Sequence, residues 1–93
     1  MRYRIFSTKA YRSSYKRISR HRHFDEDLVN RIINQLADGE VLGPKYRDHQ
    51  LTGSSKEYRE CHIKNDLLLV YQKQDGVLVL SLVDIGTHAS LFG

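Results

Sequence analysis

The sequence predicts an α+β fold in one domain that spans residues 1–93. Apolar side chains recur at helical spacing in the first half of the chain and at strand-like spacing in the second half. Forty per cent of the residues are hydrophobic, which is enough for a compact core. The order of elements is therefore strand, helix, helix and a three-stranded meander, without a repeat or a linker.

The first predicted element is a short strand over Arg2–Ser7, where polar and apolar side chains alternate. Ser7 or Thr8 can cap the helix that follows. That helix carries one apolar stripe at positions i, i+4 and i+7, formed by Tyr11, Tyr15 and Ile18.

A second helix is predicted between Asp25, which can cap its first turn, and Gly39, which suits the position after a helix. Its apolar face is broad and is formed by Leu28, Val29, Ile32, Ile33 and Leu36. A long loop is expected to follow at Glu40–Ser55, and loops of this length inside a small domain are usually functional.

The second half of the chain contains three predicted strands and a short tail. The strands cover Lys56–Ile63, Asp66–Lys73 and Val77–Ile85, and the last two are apolar on both faces, as central strands are. Turns are expected at Lys64-Asn65 and at Gln74-Asp75-Gly76, and residues 86–93 form the tail.

Composition excludes several classes of protein. The single cysteine, Cys61, excludes an internal disulfide and a multi-cysteine zinc site, and we expect it to be a small apolar side chain within a strand. The longest apolar run, Leu67–Tyr71, is too short to cross a membrane, and the first residues lack the apolar core of a secretory signal. We therefore expect a cytoplasmic protein.

Charge is distributed unevenly along the chain. Residues 1–24, called here the basic block, hold eight basic residues and no acidic one, whereas residues 25–93 hold seven basic and eleven acidic residues. A block of this kind attracts a polyanion, which is either a nucleic acid or an acidic protein segment. The alternative is a solvated helix face that only aids solubility.

Three of the five histidines lie on separate elements, His49 in the long loop, His62 on a strand and His88 in the tail. Glu60 shares a strand face with His62, and Asp66 lies just across a turn from it. Three interpretations are open: unrelated surface histidines, a zinc site whose spacing matches no known pattern, and acid–base chemistry without a metal on an anionic substrate such as RNA.

Four stretches form a specific combination of motifs: YRDHQLTGS at 46–54, YRECH at 58–62, DLLLVY at 66–71 and GTHASLFG at 86–93. With these motifs the sequence resembles the YafQ family, toxins of the RelE/ParE superfamily in type II toxin–antitoxin systems. The resemblance implies a RelE-like fold, in which two N-terminal helices pack beside a mainly antiparallel sheet. It also implies an endoribonuclease that cuts mRNA on the translating ribosome, by attack of the RNA's own 2′-hydroxyl and without a metal or other cofactor.

The resemblance implies roles for individual residues. His49 and His88 are expected to transfer protons, in an order that the sequence leaves open, while His62 and Asp66 orient the site or share that work. Phe92 is expected to position a base. The family has an aspartate where this chain has Glu60, whose carboxylate reaches one methylene further.

Three cations near these motifs are candidates for holding phosphate, namely Arg59, Arg47 and Lys45; the alternative is that they are ordinary surface charges. The implied partners are the ribosome, mRNA and an acidic antitoxin, with DNA contacted only through the antitoxin. The rival functions are a ParE-like toxin that acts on DNA gyrase without nuclease chemistry and an inactive module that only binds an antitoxin.

Overall fold

The computed structural model describes all 93 residues. The elements are β1 (Arg4–Ser7), α1 (Lys9–Ile18), α2 (Glu26–Ala37), β2 (His49–Gln50), β3 (Arg59–Lys64), β4 (Leu67–Gln74), β5 (Val79–Gly86) and α3 (His88–Phe92). Single 3₁₀ turns occur at Pro44–Tyr46 and Gly53–Ser55. No helix has the length and hydrophobicity needed to cross a membrane.

The five strands form one mixed sheet in the order β1-β5-β4-β3-β2. Only the β1–β5 pair is parallel, and the other three pairs are antiparallel. The predicted α+β class and the mainly antiparallel sheet are therefore confirmed. In the sequence, α1 and α2 separate β1 from the antiparallel strands. In the sheet, β1 lies at one edge and pairs in parallel with the last strand, β5.

Both long helices begin where their capping residues predict. The Thr8 hydroxyl accepts a hydrogen bond from the backbone N–H of Tyr11 and donates one to the carbonyl of Val83, which ties the start of α1 to β5. The Asp25 carboxylate accepts from the backbone N–H of Leu28. Gly39 follows α2 at φ 82°, a left-handed conformation that glycine adopts without strain.

One face of the sheet carries the core. Residues of α1 and α2 pack against alternate residues of β3, β4 and β5, and Tyr71, Leu80 and Ile85 are fully buried there. Cys61 belongs to this cluster, as expected for a small apolar side chain, and burial raises the pKa of its thiol to about 12. An uncharged, buried thiol of this kind is not a nucleophile.

The structure corrects several predicted boundaries. The expected loop over Glu40–Ser55 contains β2, whose two residues pair with β3. The expected tail forms the helix α3, capped by Thr87, whose hydroxyl accepts from the backbone N–H of Ser90. The first, second and last of the four predicted strands begin two or three residues later in the structure than the sequence predicts, and Leu78, at φ 53°, extends the final hairpin turn.

Candidate active site

Strand register brings the predicted site residues to the face of the sheet that lies away from α1 and α2. Cys61 and Ile63 point into the helix-covered core, so Glu60 and His62, which alternate with them, lie on the opposite face. His49 lies directly across from Glu60 in the β2–β3 pair, which places its side chain on the same face.

The same register explains how His88 reaches this group. His62 pairs with Leu68 on β4, and Leu68 pairs with Gly86 at the end of β5. Because α3 begins two residues after Gly86, its first residue, His88, lies beside His62 across the sheet. His62 and His88 are therefore close in space although they are far apart in the sequence.

The three imidazoles form a row, called here the histidine row. The ring centroids of His49 and His62 are 6.3 Å apart, and those of His62 and His88 are 5.6 Å apart. Phe92 extends the row, with its ring centroid 6.3 Å from that of His88. The structure therefore brings His49, His62, His88 and Phe92 together.

Glu60 holds one end of the row. Its Oε1 atom lies 3.3 Å from Nε2 of His62 and 3.7 Å from Nε2 of His49. The Glu60 side chain is only 6% exposed, whereas that of His49 is 50% exposed. A carboxylate buried to this extent is stable only when it is paired, so Glu60 fixes the positions of both imidazoles.

Asp66 holds the other end. Its Oδ1 atom accepts a hydrogen bond from the backbone N–H of His88 at 3.2 Å and lies 3.0 Å from Nδ1 of the same residue. These two contacts, the backbone one first, lower the pKa of Asp66 below its ordinary value. Asp66 is therefore ionised near neutral pH, and it both anchors the start of α3 and orients the His88 ring.

Backbone contacts complete the positioning, and sequence reasoning missed them. The carbonyl of Arg47 lies 2.6 Å from Nδ1 of His49. Arg47 follows the first 3₁₀ turn in a left-handed conformation at φ 46°, which sets the direction of that carbonyl. A signal for α3 was present in Thr87, a good helix-capping residue directly before His88.

The three candidate phosphate-binding cations lie in different places. Lys45 and Arg47 line a cavity that His62 also lines, and Lys45 Nζ lies 5.1 Å from the centroid of the Tyr46 ring. Arg59 alternates with Glu60 and lies on the other face of β3, where its Nε is 3.3 Å from Asp48 Oδ1. Arg59 is therefore not brought to the histidine row.

The row also contains a set of metal-ligand types. One potential ligand atom from each of Glu60, His62 and His88 lies within 4.8 Å of the other two. Imidazole nitrogen and carboxylate oxygen are ligands that zinc and copper accept. The three residues can thus hold a transition metal, and the same atoms can instead exchange protons with a substrate.

Comparisons with known proteins identify the family. Residues 3–93 match the family described as YafQ, a bacterial toxin of type II toxin–antitoxin systems. The chain is 35% identical over 78 residues to the mRNA interferase toxin YafQ of Escherichia coli strain K12, which covers 83% of each protein. The chain belongs to the YafQ toxin family.

Solved structures share the fold over the whole chain. A metal-bound toxin from Helicobacter pylori superposes with a TM-score of 0.89 at 40% identity, over 99% of this chain and 100% of that one. The Escherichia coli DinJ-YafQ toxin-antitoxin complex contains a chain with a TM-score of 0.87 at 32% identity, with complete coverage of both chains. The RelE-like fold implied by the motifs is thereby confirmed.

Proposed function

We propose that this chain is the toxin of a type II toxin–antitoxin system and is an endoribonuclease that cuts mRNA on the translating ribosome. The observation that carries the proposal is the histidine row, in which two exposed imidazoles stand on either side of a third and each end is held by a carboxylate. The name of the 35% identical relative, an mRNA interferase toxin, supports the same substrate class.

The proposed reaction uses the RNA's own nucleophile. The 2′-oxygen forms a bond to the adjacent phosphorus while the bond from phosphorus to the 5′-oxygen breaks, which leaves a 2′,3′-cyclic phosphate and a 5′-hydroxyl. A base takes the proton from the 2′-hydroxyl and an acid gives one to the departing 5′-oxygen. Each transfer contributes about 10²–10⁴-fold to the rate.

His49 and His88 suit these two transfers because in each ring Nδ1 is held by an acceptor while Nε2 makes no hydrogen bond, although Nε2 of His49 lies 3.7 Å from the Glu60 carboxylate. The carbonyl of Arg47 only accepts hydrogen bonds, so Nδ1 of His49 carries a proton and Nε2 remains for exchange. Ionised Asp66 likewise accepts a hydrogen bond from Nδ1 of His88, which leaves Nε2 of that ring for proton exchange. Both end imidazoles are at least half exposed, so an RNA strand can reach them.

The central and terminal members of the row position the substrate. His62, whose side chain is 15% exposed and held by Glu60, acts as the spacer that sets the distance between the two end imidazoles. Phe92 is 52% exposed beside His88, and its ring offers a surface on which a base of the cut step stacks.

Two partners belong to the proposal. An antitoxin with an acidic segment binds the toxin, which the existence of a DinJ-YafQ toxin-antitoxin complex for a 32% identical chain supports. The ribosome positions the mRNA, since an open row of side chains provides little orientation by itself. The basic block offers charge to both polyanions, and DNA is contacted only through the antitoxin.

The rival functions lack a use for this geometry. A toxin that binds gyrase without cutting, or a module that only binds an antitoxin, needs no row of imidazoles with a fixed tautomer at each end. The paired arrangement of His49 with Glu60 and His88 with Asp66 therefore favours nuclease chemistry.

Expression of the chain alone tests the proposal. The parent is expected to arrest growth and to produce cuts at preferred codons of mRNA, whereas His88→Ala does neither. His23→Ala, which removes an exposed histidine outside the row, is the control and should behave as the parent. Phe92→Ala should cut more weakly while its circular dichroism spectrum stays unchanged. Equal toxicity of the parent and His88→Ala, or arrest without cuts in mRNA, refutes the nuclease.

A second candidate is a regulatory transition-metal site at Glu60, His62 and His88, favoured by their ligand geometry and by the metal-bound state of the 40% identical toxin. Metal binding would occupy the ring nitrogens that move protons, so we expect inhibition. Zn²⁺ added to the parent should raise the melting temperature and slow RNA cleavage, and a chelator should reverse both changes. His62→Ala should lose the shift in melting temperature; a shift of equal size in that variant contradicts the site.

A further inference from the structure

A cavity of about 420 Å³ lies beside the histidine row and shares His62 with it. Its charged walls come from three parts of the chain: α2, the segment of the first 3₁₀ turn, and the end of β3. The cations that line it are Arg31, Lys45, Arg47 and Lys64. This cavity is called the basic cavity below.

All charged side chains that line the basic cavity are cations. No carboxylate lines it, and none of its four cations takes part in an ion pair or a side-chain hydrogen bond. Lys45 lies over the Tyr46 ring, a contact that leaves its N–H donors free. Like charges gathered around one concavity repel each other, so their arrangement favours an anion between them.

Phosphate is the anion that this set of donors suits. Arg31 and Arg47 each present a planar fork of N–H donors that matches two phosphate oxygens, and Lys45 and Lys64 add point charges. Asn65 and Tyr46 also line the cavity and are residue types that donate neutral hydrogen bonds to phosphate. Leu28 and Ile63 are the aliphatic residues of the lining.

We propose that the basic cavity binds a backbone phosphate of single-stranded RNA, next to the phosphate that is cut at the histidine row. The proposal rests on the proposed function, since it takes the cut phosphate to lie among the imidazoles. His62 links the two places, because it lines the basic cavity and its ring centroid is 5.6 Å from that of His88. A strand that crosses the row therefore places a neighbouring phosphate within reach of the cavity.

Binding of RNA that cannot be cut tests the proposal directly. The probe is a short single-stranded RNA with 2′-O-methyl groups throughout, titrated with the purified toxin without ribosomes, so that contacts to ribosomal RNA do not contribute. The variant is Arg31→Gln/Lys64→Gln, which removes two exposed cations of the cavity and no residue of the row. The control is Lys56→Gln/Lys73→Gln, which removes equal charge outside the cavity.

The cavity variant is expected to weaken binding about tenfold at low salt and to lower the slope of log Kd against log salt by about 1.4, the value for two lost contacts on a single strand. The control should stay close to the parent, and a neutral methylphosphonate strand should not distinguish parent from variant. Equal effects of the two pairs, or no binding of RNA by the parent, overturns the proposal. The proposal is also overturned if the cavity variant binds RNA as the parent does but loses affinity for a polyglutamate peptide.

The experiments distinguish failure of the proposed phosphate subsite from failure of the proposed nuclease activity. If the parent binds the probe through the basic cavity but cuts no mRNA in cells, the nuclease fails and the subsite holds. If the parent cuts mRNA and the cavity variant binds and cuts as the parent does, only the subsite is wrong.

Discussion

At the scale of residues, the two end imidazoles are chemically similar, and substrate chemistry distinguishes them. RNA with sulfur in place of the bridging 5′-oxygen releases a thiolate, and because a thiol is far more acidic than an alcohol, its departure needs no acid. We expect His49→Ala and His88→Ala each to slow cleavage of ordinary RNA by about 10²–10⁴-fold. Sulfur should restore the rate of only one variant, the one that lacks the acid. Restoration of both, or of neither, contradicts the division of roles.

The hydrogen bonds to Asp66 give a second prediction at this scale. Because the backbone N–H of His88 is the main cause of the lowered Asp66 pKa and the ring is the next, His88→Ala should move that pKa only part of the way back to 3.8. Carbon-13 NMR of the Asp66 carboxyl group measures it. Complete return to the ordinary value would mean that the backbone contact is lost as well.

The direction of the Asp66 shift also fixes how α3 depends on pH. The carboxyl has a lower pKa in the folded chain than in the unfolded chain, so its contribution to stability is present above 3.8 and is lost as the pH falls through the folded-state value. The anchoring of α3 is therefore complete at neutral pH. Its loss is expected only in acid, well below the range in which imidazoles titrate.

At the scale of elements, α3 depends on a close approach at Gly86. A Cβ atom at Gly86 would overlap Ser90 Oγ and lie 3.6 Å from Leu91, so Gly86→Ala should push α3 from the sheet and displace His88 and Phe92. The expected cost in stability is about 1–3 kcal/mol, with a much larger loss of cleavage. Gly76→Ala is the control, since nothing lies within 4 Å of its added Cβ. Thermal melts measure the stability of the two variants, and RNA cleavage measures their activity. Full activity in Gly86→Ala would contradict the role of the close approach between Gly86 and Ser90.

Elements with local signals were predictable, and elements fixed by distant contacts were not. Asp25 and Gly39 mark the ends of α2 because capping and a left-handed conformation depend on neighbouring residues. β2 has only two residues, and its pairing with Glu60 and Arg59 defines it. α3 has five residues, too few to be stable alone, and Asp66, 22 positions earlier, anchors it.

At the scale of the whole molecule, the motifs indicated which histidines lie together, but not how they are arranged. The motifs identified His49, His62 and His88, and strand register then determined their order in the row. Arg59, a candidate for holding phosphate, lies away from the row because neighbouring residues of a strand face opposite sides of the sheet, and its partners are Asp48 and Tyr71.

The charge of the basic block gives the last prediction, in which stability and binding change in opposite directions. Lys9 is exposed at the first position of α1, where the helix dipole disfavours a cation, and the first turn contains no acidic residue. Lys9→Glu should therefore stabilise the fold by about 0.3–1 kcal/mol. If the basic block binds ribosomal RNA as proposed, Lys9→Glu should also weaken association with ribosomes in a salt-dependent way, because it removes one of the cations of the block.

Urea unfolding measures the first effect, and co-sedimentation with ribosomes at several salt concentrations measures the second. Lys56→Glu makes the same change of charge outside the basic block and is expected to leave sedimentation close to that of the parent. If Lys9→Glu stabilises the chain and sediments as the parent does, the block is a solvated face that aids solubility. If both substitutions weaken association equally, net charge and not the position of the block attracts the ribosome.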